Sequence, residues 1–203
     1  MSLTNFLRKN IYNYLGYRGI EEDPSIDKLI DECYKILKRK AHFRWKHAKF
    51  TSIPIDIYKE PYISFLKDCT CFHLTMYTLG DEVDKEIQLL SYYDPLKSFV
   101  LDACANAYLE FEADERDKLF GENRTYRFCP GYGGSSVEDI RKIVCPLKYY
   151  QLGVRFNECN IMSPSKTMVG IIGIGKKSEK NCDNCFMIDH CHYRKENTRC
   201  YNK

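Results

Sequence analysis

The 203-residue chain has no apolar run approaching the roughly 18–20 residues that a bilayer span requires. Its start, MSLTNFLRKN, carries no apolar core of signal-peptide type, so the expectation is a cytoplasmic protein without a membrane role. It also lacks an excess of either charge. Its 31 Lys and Arg stand against 28 Asp and Glu, and a net +3 spread along the chain is too little to attract nucleic acid by electrostatics. No internal repeat is present. His42, His47, His73, His190 and His192 form no nucleophile–base pattern with a neighbouring Ser or Cys, and His73 reads as a satisfied histidine on an apolar strand. The glycines of GIIGIGKK have the wrong spacing for a Gly-x-Gly-x-x-Gly dinucleotide fingerprint, and no helix signal follows them.

Cysteine, by contrast, is abundant. Eleven is a high and odd count for a compartment where structural disulfides are rare, which points to metal ligation or reactive thiols where cysteines cluster. They cluster in NCDNCFMIDHCHYRKENTRC, where Cys182, Cys185, Cys191 and Cys200 are spaced C-x2-C-x5-C-x8-C. Four thiolates suit tetrahedral zinc or the corners of an iron-sulfur cluster. A single C-x-x-C knuckle with a looser second half leaves zinc, iron-sulfur and unmetallated thiols open. The nearby Arg194, Lys195, Arg199 and Lys203 read as solvated charge. The chain divides accordingly into a body, 1–178, and a Cys-rich tail, 179–203.

Within the body, EEDPSIDKLIDECYKILKRK predicts an amphipathic helix capped by Asp23, with Pro24 in its first turn and Ile26, Leu29, Ile30, Cys33, Ile36 and Leu37 on one stripe. TSIPIDIY reads as strand-like, PYISFLKDC as a short helix and CTCFHLTMYT as a buried strand ended by Leu79-Gly80. A long helix follows in DPLKSFVLDACANAYLEFEADERDKLFG. Its stripe is Leu96, Phe99, Val100, Ala103, Cys104, Ala107, Tyr108 and Phe111, with Gly121 ending it and Glu110 beside the stripe. SSVEDIRKIV carries a capping box from Ser135 or Ser136 toward Glu138 or Asp139. YYQLGVRFNEC and TMVGIIGIG read as strands separated by MSPSK. Without a regular β-α-β repeat, the fold class is α+β, a largely antiparallel twisted sheet with flanking helices.

The segment TYRFCPGYGG suits neither a helix nor a strand interior. It sets an arginine, a cysteine and a tyrosine around a Pro-Gly turn. The residues alone allow a tight turn with a surface-paired Arg127 and a core Tyr132, or a ligand loop. Taken in order, YLGYRG, TLGDEVD, RFCPGYGG, LGVRFNEC and MSPSKTMVGIIG span nearly the whole chain and resemble the vitamin B12-dependent methionine synthase activation domain family, in its short stand-alone bacterial form. Arg-x-x-Pro-Gly-Tyr is the most specific of these.

The resemblance implies a protein that binds S-adenosylmethionine and supports reductive methylation of a cobalamin oxidised to the inactive Co(II) state. In the family the arginine, the residue two after it and the tyrosine of this motif contact the ligand, which maps onto Arg127, Cys129 and Tyr132. Arg127 would fork onto the methionyl carboxylate. The Phe128-Cys129 backbone would meet adenine edges. Tyr132 would face the sulfonium, and Gly131, Gly133 and Gly134 would let the main chain approach. Glu110 matches an acid of the short forms; in the long methionine synthases the corresponding acid falls where this chain has Asn106. Glu158 matches the acid of a Thr-Glu-Ser stretch, bracing the loop. The family's N-terminal aspartate has no counterpart. The chain has no cobalamin-binding Asp-x-His-x-x-Gly segment, so the cobalamin would be carried by a partner, a methionine synthase or another corrinoid protein. An electron donor such as flavodoxin or ferredoxin is also implied. The alternative is an iron-sulfur electron-transfer activator of another corrinoid methyltransferase, acting through the tail.

Overall fold

The structure is a computed structural model and describes residues 3–17, 23–178, 182, 189 and 191–195. In chain order the elements are α1 (Asn5–Tyr14), α2 (Pro24–Lys40), β1 (Arg44–Phe50), α3 (Tyr62–Leu66), β2 (Cys71–Thr78), α4 (Asp81–Tyr93) and α5 (Pro95–Asp117). There follow α6 (Asp139–Val144), β3 (Arg155–Phe156), β4 (Met162–Ser163), β5 (Thr167–Ile174) and α7 (His192–Lys195). The three longer strands form an antiparallel sheet in the order β1-β2-β5, and β3 pairs with β4 as a short antiparallel hairpin. The class is α+β with flanking helices.

Two compact units interleave along the chain. The first comprises Met1–Lys46, Met76–Leu119 and Lys148–Met168. Its core is helical, with α1, α2 and α4 each packed on α5. The α2 helix starts as its sequence dictates. Asp23 accepts the Ser25 N–H at 2.8 Å, Pro24 opens the first turn, and Lys38, Arg39 and Lys40 complement the carboxyl end of the helix dipole. Ile30, Cys33 and Leu37 are fully buried, while Ile26, Leu29 and Ile36 pack at the margin. Arg8 ties α1 to α2 through Asp27 and Asp31, each at 2.5 Å, and Lys97 ties α5 to Glu32 at 2.9 Å.

The α5 helix differs from the expected one-sided stripe. Asp94 caps it by accepting the Lys97 N–H at 3.0 Å, and Gly121 follows the short 3-10 turn that ends it. Its buried residues, however, lie on several sides: Val100, Leu101, Ala103, Cys104, Ala105, Ala107, Tyr108, Leu109 and Ala113. A helix packed by three others is buried nearly all round, and alanines permit the close approach. Leu96 and Phe99 are more than half exposed although Ser98 and Val100 beside them are buried, so the first turns of α5 are covered on one side only.

The second unit comprises His47–Thr75, Phe120–Leu147 and Val169–Lys203. Phe72, Leu74, Val169, Ile171 and Ile172 are buried along the strand segments, with Ile57, Tyr62, Leu66, Phe128, Ile143, Val144 and Leu147 from the connecting elements. The strand expected in TSIPIDIY is instead a loop with a 3-10 turn at Ile55–Ile57, and β1 lies earlier, in RWKHAKF. Lysine and histidine on an edge strand mask the period-2 signal. Tyr149–Leu152 is likewise a 3-10 turn, so the expected strand shrinks to Arg155–Phe156.

Leu101→Ala, which empties a site 1% exposed, is expected to destabilise the protein by about 3 kcal/mol. Phe99→Ala should cost less than about 1 kcal/mol. Urea unfolding of the two variants checks the assignment of the α5 faces.

Candidate functional site

The RFCPGYGG loop begins as an extension of β5. Phe128 exchanges both backbone hydrogen bonds with Ile171 at 2.9 Å, and the Thr125 N–H donates to Gly173 O at 2.9 Å. Its side chains wedge the segment in place. The Phe128 ring lies 4.9 Å from Phe65 and 5.7 Å from Tyr62, and Tyr126 lies 5.2 Å from Phe65. Arg127 is buried, 8% exposed, with its stem against the bare backbone of Gly170.

Beyond Arg127 the chain turns on Gly131 (φ +92°), Gly133 (φ +56°) and Gly134 (φ +82°), a left-handed run that side chains disfavour. Ser135 locks the turn: its Oγ accepts the Gly131 N–H at 3.0 Å and donates to Tyr132 O at 2.7 Å. Ser135 therefore serves the loop rather than a capping box. The helix-side contact falls to Ser136, whose Oγ accepts the Glu138 N–H at 3.1 Å. Tyr132 is displayed, 66% exposed, and Cys129 is half-buried with its carbonyl accepting the Tyr132 N–H at 3.3 Å. Of the Phe128-Cys129 backbone expected to meet adenine edges, the Phe128 N–H and carbonyl are hydrogen-bonded to Ile171.

A buried ionic cluster supports the loop. Asp139, 1% exposed, accepts the Tyr62 hydroxyl at 3.0 Å and lies 2.9 Å from the Lys59 ammonium and 3.6 Å from that of Lys142. Burial pushes its carboxyl pKa up. The hydrogen bonds from Lys59 and Tyr62 and the two ammonium charges outweigh burial and hold it below its ordinary value.

Arg127, Cys129, Gly131, Tyr132 and Gly133 thus share one loop of the second unit. Glu110 and Glu158 belong to the first. Glu110, on α5, accepts the hydroxyl of Tyr14 at 3.1 Å, which joins it to YLGYRG. Glu158 is exposed at the tip of the β3–β4 hairpin, a turn fixed by Asn157 accepting the Ile161 N–H at 2.9 Å. Asn106 is engaged in a cluster that sequence reasoning missed. The buried Lys166 ammonium lies 2.6 Å from Asp102 and donates to Asn106 Oδ1 at 2.9 Å, while Asn106 Nδ2 donates to Asp102 at 2.9 Å. The i,i+4 spacing of Asp102 and Asn106 was its only sequence signal.

His73 is half-buried, with its Nδ1 3.0 Å from that of His47 and its ring 4.3 Å from Phe120. Burial, then the adjoining His47 and Lys49, lowers its pKa to about 4, so it is neutral at pH 7. Cys33 and Cys104 are buried in the helical core, and burial pushes the Cys33 thiol up to about 12 and raises that of Cys104 as well. Cys182 and Cys191 are half-buried, whereas Cys185 and Cys200 lie outside the described residues. Among the described residues, no group of three or more His, Cys, Asp or Glu is placed to hold a metal ion, and no helix is long and apolar enough to cross a membrane.

An α+β architecture with a three-stranded antiparallel sheet and flanking helices defines the structural class. No protein-family model matches the sequence, and no curated protein matches it. Among solved structures, the chain is similar to the MetH reactivation domain bound to AdoHcy, with a TM-score of 0.58 and 14% identity over 95% of this chain and 83% of that one. At that identity the likeness establishes a shared fold.

The depressed Asp139 carboxyl stabilises the fold above its unfolded pKa of about 3.9, and that contribution is lost as pH falls through the lower folded value. Urea midpoints measured between about pH 5 and 3 are expected to fall more steeply for the wild type than for Asp139→Asn. Parallel curves would remove the charge from the account of this cluster.

Proposed function

We propose that the chain binds S-adenosylmethionine and supports the reactivating, reductive methylation of cob(II)alamin carried by a separate cobalamin-dependent methionine synthase. The reading is supported by a fold shared with a MetH reactivation domain whose structure holds AdoHcy, and by the ordered motifs that resemble the activation domain family. The observation that carries it is the buried arginine of the glycine-turned RFCPGYGG loop. A planar, permanently charged fork in a dry setting recognises a carboxylate by paired charge-assisted hydrogen bonds, which an ammonium cannot match.

In this reading the sulfonium–methyl bond breaks with its electron pair retained by sulfur, and neutral S-adenosylhomocysteine leaves. The methyl passes to the reduced cobalt of the partner, which supplies the new bonding pair after one electron from a flavodoxin- or ferredoxin-like donor has taken Co(II) to Co(I). Such a transfer needs no general base. The chain's work is to hold the methyl donor in line and exclude water. Arg127 holds the methionyl carboxylate, Tyr132 presents its ring toward the sulfonium, and Cys129 contributes main chain to the adenine edge. Gly131 and Gly133 keep the loop flat enough for approach. The setting is cytoplasmic, with 1–178 as the activation module and 179–203 as a metal-binding tail.

The tail's assignment rests on the C-x2-C-x5-C-x8-C spacing. Zinc at Cys182, Cys185, Cys191 and Cys200 would be a clasp, and an iron-sulfur cluster would be an electron relay. The same spacing favours the second reading, an iron-sulfur electron-transfer activator of another corrinoid methyltransferase.

Calorimetric titration of anaerobically purified protein with S-adenosylmethionine is expected to give saturable binding. Arg127→Ala should weaken that binding by about 1.5–3 kcal/mol, the range for a lost charge-assisted hydrogen bond. Unchanged affinity in a folded variant would remove the carboxylate role of Arg127. Iron and a visible absorption band that vanishes on changing the four tail cysteines to Ser, with no ligand heat, would favour the electron-transfer reading.

A further inference from the structure

The β5 strand spends two of its positions and the one just beyond it on glycine: Gly170, Gly173 and Gly175. Glycine within a strand costs about 0.5–1 kcal/mol relative to alanine, so a compensating reason is expected. Gly175 has one in its backbone, with φ +98°. Gly170 has no such φ, and its reason is space. A Cβ built on Gly170 would lie 2.2 Å from Arg127 Cγ, 2.7 Å from Arg127 Cδ and 3.3 Å from Phe128 O. The main chain cannot withdraw on either side. Phe128 is held by Ile171 through two 2.9 Å hydrogen bonds, and the buried Thr75 hydroxyl donates to Gly170 O at 3.1 Å. Arg127 Cγ is one bond from its own Cβ, so it escapes a methyl group only by changing χ1, which swings the whole side chain and re-aims the guanidinium.

We propose that Gly170 is a positioning and specificity residue: by leaving room for the Arg127 stem it fixes the aim of the guanidinium and so selects ligands that carry a carboxylate. This rests on the S-adenosylmethionine reading above and assigns to β5 a role in that site. Gly170 touches no ligand; it acts through Arg127. The neighbouring Gly173 serves a different contact, since a Cβ there would meet Cys69 Sγ at 2.4 Å and Thr125 Cγ2 at 3.1 Å.

The test compares S-adenosylmethionine with decarboxylated S-adenosylmethionine, which keeps the sulfonium, amine and adenine and lacks only the carboxylate. Wild-type protein is expected to prefer the carboxylate form by about tenfold or more, and Gly170→Ala to lose that preference while holding the decarboxylated ligand unchanged. Retained preference in Gly170→Ala, or an equal loss of both ligands, overturns the positioning role. A wild type that binds both ligands equally, or neither, instead removes the carboxylate reading on which it stands. Should Gly170→Ala fail to fold, Arg127→Ala/Gly170→Ala removes the colliding stem and is expected to restore the thermal midpoint. A double variant no more stable than Gly170→Ala overturns the proposal without any ligand.

Discussion

The second unit is organised by one close approach, the aliphatic stem of Arg127 on the bare backbone of Gly170. It makes burial of an arginine tolerable, since the methylenes gain apolar contact while strand and loop stay hydrogen-bonded through Phe128 and Ile171. The ladder sets the height of the loop, the aromatic group of Tyr62, Phe65 and Tyr126 fixes its tilt, and Ser135 closes its end. Loops positioned this way by rigid elements are where binding residues concentrate. The charge on Asp139 belongs to the same construction: a buried carboxylate persists because Lys142 on its own helix, and Lys59 and the Tyr62 hydroxyl from around α3, answer it.

In the first unit two stretches far apart in sequence, TLGDEVD and MSPSKTMVGIIG, contact each other directly, and a third, YLGYRG, contacts α5. Tyr14 of YLGYRG donates to Glu110 on α5. Ser165 of MSPSK donates from its hydroxyl to Asp84 of TLGDEVD at 2.9 Å, the Leu79 N–H donates to Lys166 O at 3.0 Å, and the Thr167 and Thr78 hydroxyls meet at 3.0 Å. Lys166 then reaches α5 through Asp102 and Asn106. Motifs distant in sequence hold one another, so changing one leaves a buried polar group of another unanswered. Asn106 both donates and accepts there, beside a lysine already neutralised by Asp102.

Helices with caps and periodic stripes were legible because their determinants are local. Asp23, Pro24 and the Ile30–Cys33–Leu37 spacing specify α2 without reference to the rest of the chain. The sheet was less legible. β1 carries two lysines and a histidine suited to an edge, and Tyr149–Leu152 has strand-like composition yet turns through left-handed Lys148 and Gly153. Neither is decided within a short window. On α5 the periodicity was right but the stripe was not wholly buried, because Leu96 and Phe99 fit it and yet are exposed. For the site, residue types pointed to the loop, whereas the roles of Ser135 and Gly170 depend on contacts made across 4 and 43 positions of sequence.

Composition alone would assign chemistry to too many cysteines. Cys33 and Cys104 sit in the helical core, where burial suppresses the thiolate, and they act as small apolar side chains that let α5 approach its neighbours. Cys69 occupies the space left by Gly173, and burial is the largest of the effects that raise its thiol pKa too. A thiolate is the form that attacks or binds metal, so these three are poorly suited to either. The argument for metal therefore rests on the spacing of the last four cysteines, and a metal there would couple its affinity to the folding of that segment and to the deprotonation of its ligands. Such a site would respond to chelators, and to pH through the deprotonation of its thiols.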